Sequence, residues 1–284
     1  MKYVIIPLLL IAAACTHPPK LVNEVVAIDS AQVPIAPTDP AWEKAPEHLA
    51  KMVPQDQVEP RLLTVSTGEV RVRALTNGSD IAVRLEWVDD SKNDSPGPAK
   101  MIDAAAIQIP AKIENDLPEP QMGQDAKPVQ VTYWRADWQA SVDGRGDTIR
   151  DLYPNASIDH YPYEAKALDP GSDAQKEMTL RYAPARALGN IRSGPRSVPV
   201  EDLVASGPGT LSPGPSLGAR GKGAHLKDRW SVVISRKLPE GLSLNERTHI
   251  AFAVWQGSQR ETGARKMRTG WIPLVRRGSS GGGH

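Results

Sequence analysis

Short stretches of alternating polar and apolar residues recur along the chain, and this spacing of two predicts β-strands rather than helices. Seven stretches have this pattern or a β-branched and aromatic composition: 69–75, 80–88, 104–110, 129–134, 230–238, 248–256 and 270–275. Asn77 and Gly78 separate the first two, and an Asn-Gly pair favours a tight hairpin turn. Helical periodicity is weak throughout. We therefore expect a mainly β fold, an antiparallel β-sandwich with a long loop-rich insertion and few short helices.

Composition divides the chain into regions. Residues 1–15 combine an early lysine, a short apolar run and small residues, which is the layout of a bacterial export signal. Residues 16–38 contain repeated prolines, which disfavour regular structure and predict a tether. The domain is predicted to span 39–275, with the loop-rich insertion at about 142–226. The glycine-rich tail, 276–284, is predicted to be flexible.

Cys15 is the only cysteine of the 284 residues. It stands where a lipoprotein signal places its lipidated residue, and ordinary cleavage after the preceding alanines is the alternative. Lipidation would give an exported, periplasmic protein whose membrane contact is an anchor at Cys15. A single cysteine also excludes an intrachain disulfide, an iron–sulfur cluster held by cysteines and covalent haem attachment through a C-x-x-C-H motif.

The charge balance and the absence of several catalytic motifs exclude further classes of function. The net charge of +1 provides no basic field, so we expect no nucleic-acid partner. The chain has neither a G-x-S-x-G nor an H-E-x-x-H motif. The glycine-rich stretch 218–225 lacks the Gly-Lys-Ser/Thr ending of a phosphate loop, and the six histidines lack metal-ligand spacing. We therefore predict no catalytic residues and no independent active site in this chain.

Two short stretches remain unexplained by these patterns. Met122 is an apolar residue in a polar, proline-rich loop that directly precedes an aromatic strand. Taken alone, it would simply cover a sheet edge. Lys266 stands between Arg265 and Met267 in a basic segment, which taken alone would be a solvated turn.

Considered together with the segments around them, these two stretches indicate a different role. Five segments, 72–94, 102–110, 121–139, 230–238 and 250–271, follow one another in the order of a known family. The chain resembles, from about residue 39 to 274, the haem b-binding gamma subunits of molybdenum enzymes related to ethylbenzene dehydrogenase. The corresponding subunits of dimethylsulfide dehydrogenase, selenate reductase, chlorate reductase and nitrite oxidoreductase, enzymes of the type II DMSO reductase family, belong to the same group.

The resemblance implies a cofactor and its ligands. In that family one methionine and one lysine hold the haem iron, and the matching residues are Met122 and Lys266. They are the predicted cofactor-binding and metal-binding residues for one non-covalent haem b near one end of the sandwich. Adjacent side chains of an extended segment point to opposite faces, so Met267 should not reach the iron beside Lys266. Arg265 is a candidate for a haem propionate.

The resemblance also implies a role and partners. With both axial positions filled by protein, the haem is suited to electron transfer rather than to substrate activation. The expected role is a relay between the iron–sulfur (beta) subunit of a periplasmic oxidoreductase, whose molybdenum (alpha) subunit does the chemistry, and a soluble or membrane electron carrier.

Two other functions stay open on the sequence. Similar sandwiches bind sugars, and fold alone does not decide function. A haem-free module could use Trp87 or Trp134 as an exposed platform for a carbohydrate. The chain could also be a β-sandwich lipoprotein that assembles or tethers a complex.

Overall fold

The computed structural model describes residues 23–146, 149–155, 168–182, 184–190, 192, 196–243 and 245–278. Within these ranges the strands are β1 (Val25–Asp29), β2 (His48–Lys51), β3 (Val53–Pro54), β4 (Glu69–Thr76), β5 (Asp80–Val88), β6 (Ala104–Pro110), β7 (Val129–Arg135), β8 (Val200–Ala205), β9 (Ser212–Pro213), β10 (Arg220–Leu226), β11 (Arg229–Lys237), β12 (Arg247–Trp255), β13 (Met267–Arg268) and β14 (Ile272–Arg277). The helices are α1 (Ala136–Val142), α2 (Ile149–Leu152), α3 (Asp173–Tyr182) and α4 (Pro184–Ala187), with short 3₁₀ turns at Pro40–Lys44 and Gly257–Gln259.

The strands form two layers that share β12. The first layer has the order β10-β11-β5-β4-β1-β14, with β2 beside β4. The second has the order β12-β6-β7-β8-β9, with β13 between β12 and β3. Residues 247–250 of β12 pair with β14, whereas residues 251–255 pair with β6. The strand thus crosses from one layer to the other, and the mainly β sandwich is confirmed.

All seven predicted strands are present, with ends that shift by no more than two residues. The predicted hairpin is also present, because β4 and β5 pair antiparallel on either side of Asn77 and Gly78. The Asn77 side chain accepts hydrogen bonds from the backbone N–H groups of Ser79 and Asp80, at 3.0 and 2.7 Å. Local sequence alone specifies this turn, because every group that closes it lies within four residues.

The predicted tether is wrong in part, since Val25–Asp29 form β1 inside the first layer. Val25, Val26 and Ala27 are fully buried, and the strand lies parallel to both β4 and β14. The prolines flank this short apolar run instead of interrupting it. The folded domain therefore begins before residue 39, and the first layer is mixed rather than purely antiparallel.

The predicted insertion is also wrong in part. Residues 142–226 include β8 and β10, which extend the second and the first layer respectively. The predicted export signal with Cys15, residues 156–167 and the tail from residue 279 lie outside the described residues. The predicted tail begins too early, because Arg276 and Arg277 belong to β14. No helix within the described residues is long and apolar enough to cross a membrane.

The main core lies between the two layers and includes Trp134, Trp230, Phe252 and Met267. The carbohydrate platform proposed from the sequence is wrong, because Trp87 is 3% and Trp134 0% exposed. Both rings face the core rather than solvent, so they cannot stack on a sugar.

The edge strand β10 depends on a glycine that the ring of Trp134 covers. A Cβ atom at Gly223 would lie 2.2 Å from Trp134 Cζ2. Trp134 cannot move aside easily, because the Gln139 side-chain oxygen accepts hydrogen bonds from both its indole N–H and the Gly223 N–H. This contact explains why β10 lacks an apolar pattern yet belongs to the sheet.

Gly223→Ala should therefore lower the free energy of unfolding by about 1–3 kcal/mol, the usual cost of overpacking. Denaturant unfolding followed by tryptophan fluorescence measures it. Gly68→Ala is the matched control, because nothing lies within 4 Å of a Cβ atom there. Equal stability of the two variants would contradict the assigned contact.

Candidate functional site

A cavity of about 380 Å³ lies on the outer face of the second layer, away from the main core. Its floor is formed by Ala106, Val131, Tyr133, Leu203, Ala251 and Ala253. Three loops surround it, and they contribute Met122, Pro208 and Lys266 among others. The two predicted site residues, distant in sequence, thus line the same cavity.

Strand alternation makes the floor low and flat. Ala253 pairs with Ala106 across β12 and β6, and both side chains face the cavity. The residues that alternate with them, such as Ile107 and Phe252, point into the main core. Large side chains fill the sandwich on one face and methyl groups leave room on the other, so a flat apolar group can lie against the sheet.

Met122 is placed by a strained turn in the loop before β7. Its φ is +75° and that of Gly123 is +76°, so two consecutive residues are left-handed. The Gly207 N–H donates to the Met122 carbonyl at 2.9 Å, and the Gly123 N–H donates to the Glu119 carbonyl at the same distance. Strained backbone of this kind persists only where the surroundings fix it, so these bonds set where the thioether lies.

One side chain from β6 and one from the segment before β14 secure the same loop. The indole N–H of Trp271 donates to the Pro118 carbonyl at 2.7 Å, and the Gln108 amide donates to the Pro120 carbonyl at 3.0 Å. Prolines supply no N–H, so the loop uses its carbonyls as anchors. This explains how a proline-rich segment can hold a side chain in a defined place.

Lys266 follows a tight turn whose ends, Thr262 and Arg265, are bridged. The Gln55 N–H donates to the Lys266 carbonyl at 2.9 Å. Its ammonium nitrogen, Nζ, lies 3.8 Å from Met122 Sδ and 5.1 Å from the ring centre of Trp255. The fold therefore brings together a lysine and a methionine that are 144 residues apart.

Burial, together with the smaller effect of the positive charge of Arg268, lowers the pKa of Lys266 to about 8. Desolvation acts this way because it penalises the charged form of an amine. A neutral amine, which is the form that can bind a metal, is thus accessible near neutral pH.

Met267, the first residue of β13, points away from the cavity that the neighbouring Lys266 lines. It is 0% exposed in the main core, and it pairs with Val254 and Pro54. The expectation from strand alternation is confirmed for this geometry, since Lys266 faces the cavity and Met267 does not.

Alternation also bears on which arginine faces the cavity. Arg265 does not line the cavity, whereas Arg135, Arg192 and Arg268 do. Arg268 lies two residues after Lys266 and shares its face, which the period of a strand could have predicted. Arg135 also has such a signal, because it follows Val131 and Tyr133 at every second position of β7. Arg192 has none, because it lies outside the strands and contacts Glu201 of β8 across the fold.

Aromatic rings close one side of the cavity. Tyr133 makes edge-to-face contacts with Trp138 and Trp255, at centroid distances of 5.6 and 5.2 Å. Burial raises the pKa of Tyr133 to about 12, so its phenol stays neutral. Among the described residues, no cluster of three or more His, Cys, Asp or Glu side chains could hold a metal ion.

The sequence model of one protein family, ethylbenzene dehydrogenase, matches residues 39–267. This chain belongs to the ethylbenzene dehydrogenase family. The match covers most of the chain and confirms the resemblance carried by the five segments. Both members of the Met122 and Lys266 pair fall inside it.

Individual proteins resemble the chain to different degrees. A protein of Haloferax mediterranei, named provisionally as a respiratory nitrate reductase heme subunit, is 27% identical over 257 residues, which are 88% of this chain and 70% of the relative. Among solved structures, a family 9 carbohydrate binding module of Caldicellulosiruptor kristjanssonii with cellotriose has 9% identity and a TM-score of 0.45, covering 89% of this chain and 93% of the module. The same module with glucose has a TM-score of 0.37 at 9% identity, with coverage of 89% and 96%. Similarity this low carries no argument about function.

Proposed function

We propose that this chain is the haem-binding electron-transfer subunit of a respiratory oxidoreductase and that it holds one non-covalent haem b between Met122 and Lys266. The observation that carries the proposal is the 3.8 Å separation of Lys266 Nζ and Met122 Sδ beside the cavity. Family membership supports it, as does the name of the Haloferax relative.

The two donors fit a haem iron chemically. A thioether is a neutral, soft ligand, and methionine ligation is associated with a raised haem potential. An amine binds metal only when deprotonated, and burial lowers the pKa of Lys266 to about 8. The fold already brings the two donor atoms within 3.8 Å of each other, so Met122 and Lys266 could hold one iron between them after a small separation.

The cavity fits the macrocycle. Its alanine floor leaves a flat apolar surface, and three arginines are available for anionic groups. The haem, when bound, supplies a one-electron carrier. Met122 and Lys266 would fill both axial positions and leave no open position for a substrate, while Trp255 and Tyr133 would exclude water. The arrangement favours electron relay over catalysis.

Family membership supports a partnership with the catalytic subunits of an oxidoreductase. We expect an iron–sulfur subunit on one side of the relay, with a molybdenum subunit as the catalyst, and a soluble or membrane electron carrier on the other side. We further propose that the mature protein is periplasmic and anchored at lipidated Cys15.

Reconstitution with haemin tests the proposed function. The mature chain should take up one haemin per molecule and give a Soret band with the six-coordinate, low-spin spectrum of a methionine–amine pair. Absence of a Soret band after reconstitution would exclude the haem. Co-purification from the native source with an iron–sulfur subunit separates a relay subunit from a free-standing cytochrome.

The pH dependence of haem affinity is a further prediction. Below about pH 8 the folded protein must release the Lys266 proton before the amine can bind iron. Affinity should therefore rise about tenfold per pH unit up to pH 8 and then level off. The depressed pKa should also affect the stability of the apoprotein. Between pH 8 and the ordinary lysine value of 10.5 only the unfolded chain keeps the Lys266 proton, so the free energy of unfolding should rise with pH.

Haemin titrations between pH 6 and 9, with Lys266→Ala alongside, measure this dependence. The ratio of wild-type to variant affinity isolates the lysine, because other titrating groups affect both proteins. A ratio that is constant with pH would contradict ligation by Lys266.

A further inference from the structure

Arg268 stands out among the cations of the cavity. It belongs to β13 and pairs with Ala253, which with Ala106 forms the alanine floor. Its Nε is buried and has no hydrogen-bond partner. None of the ion pairs within the described residues includes Arg268, although Asp56 attracts its charge.

The other two arginines of the cavity are already compensated. Arg135 makes a two-point contact with Asp137, with both N–O distances at 2.9 Å. Arg192 donates to Glu201 at 3.0 Å. A second carboxylate gains less from a guanidinium that is already neutralised, so these two are weaker anion sites.

An unpaired, partly buried guanidinium is costly, because it has lost water without gaining a partner. A carboxylate brought in by a ligand would offset this cost through a charge-assisted, planar contact that suits arginine.

We propose that Arg268 binds a carboxylate of the tetrapyrrole, so that the cavity recognises the acidic side chains of the cofactor as well as its iron. This inference rests on the proposed function. The macrocycle would lie over the alanine floor, and Arg268 at the floor's edge would determine which way its carboxylates point.

Arg265 provides a contrast within the same segment. It is one residue from Lys266, but its charge acts on buried Glu261 and it does not line the cavity. Its Nε is buried and unpartnered like that of Arg268, so the two arginines differ chiefly in the face they occupy. Arg265→Gln is thus a matched control.

Iron-free porphyrins separate this contact from axial ligation. Fluorescence titrations of the full chain would use protoporphyrin IX and its dimethyl ester, which differ only in their carboxylates. In the wild type and in Arg265→Gln the acid should bind about tenfold more tightly than the ester. In Arg268→Gln this ratio should fall to near one, and Arg268→Lys should give an intermediate ratio because it keeps the charge without the planar fork.

The outcomes distinguish the two proposals. The role of Arg268 is overturned if Arg268→Gln keeps the wild-type ratio of acid to ester affinity, or if Arg265→Gln loses this ratio instead. In either case an intact haemin spectrum would leave the proposed function standing. A wild type that takes up neither haemin nor the porphyrins overturns the proposed function itself. Circular dichroism of each variant confirms the fold, and Arg268→Lys keeps the test decisive if Arg268→Gln does not fold.

Discussion

Replacing Lys266 with alanine should convert the reconstituted protein from a six-coordinate, low-spin haem to a five-coordinate one. The amine has no substitute, because the strand places the neighbouring Met267 side chain in the main core. Met122→Ala should also give a five-coordinate haem, but with nitrogen rather than sulfur ligation. Each change should weaken haemin binding by more than the roughly 10–100-fold that outer partners of a metal site contribute.

Absorption and electron paramagnetic resonance spectra of the ferric protein measure this change. Met267→Leu is the control, because it keeps the volume of a buried residue and should cost less than about 1.5 kcal/mol of stability. Its haem spectrum should match the wild type. A five-coordinate spectrum in Met267→Leu together with an unchanged one in Met122→Ala would reassign the sulfur ligand.

Replacing Gly123 with alanine should damage both stability and the haem site. A Cβ atom there would lie 2.8 Å from the Lys127 carbonyl oxygen and 3.1 Å from that of Ala205. Both are backbone atoms, so neither can move without shifting the loop or the end of β8. The positive φ of +76° adds strain for any side chain. The free energy of unfolding should fall by roughly 2–4 kcal/mol, combining left-handed strain with overpacking.

The same substitution should displace Met122, so the reconstituted haem should lose its sulfur ligand as in Met122→Ala. Gly171→Ala separates the two causes, because Gly171 has a φ of +78° but nothing within 4 Å of its Cβ position. This control should lose about 1 kcal/mol, which is the left-handed strain alone, and keep the wild-type spectrum. Equal stability losses in the two variants would mean that the close backbone contacts at Gly123 have no effect.

Local patterns predicted the strands well where the decisive contacts are local. Alternation in 69–75 and 80–88, with Asn77 and Gly78 between them, was enough to specify a hairpin, because the turn bonds close within four residues. The same rule failed for β1, whose five residues have no turn signal and form a strand only because β4 and β14 lie on either side. It failed again for β10, where Trp134 requires a glycine in place of an apolar residue.

The candidate site shows a similar division. Family resemblance predicted Met122 and Lys266 as a pair of ligands. The residue pattern alone predicted only that Met122 covers a sheet edge and that Lys266 lies in a solvated turn. Alternation correctly separates Lys266 from Met267. The same alternation points to Arg268, and not to the propionate candidate Arg265, as the arginine that shares the face of Lys266. The alanine floor could be read as small residues at every second position, but nothing in one strand reveals that two such strands are neighbours.

The sequence by itself determined the elements of this protein: the strand periods, the hairpin turn, a methionine beside a glycine and a lysine in a charged loop after a strand. These features depend on interactions between residues close in the chain. Only the tertiary structure decided that Lys266 and Met122 meet 3.8 Å apart across 144 residues, over a flat floor on the outer face of one sheet. The physical reason is that sheet pairing and desolvation act between distant segments: pairing selects which side chains share a face, and burial lowers the pKa of Lys266 toward neutrality.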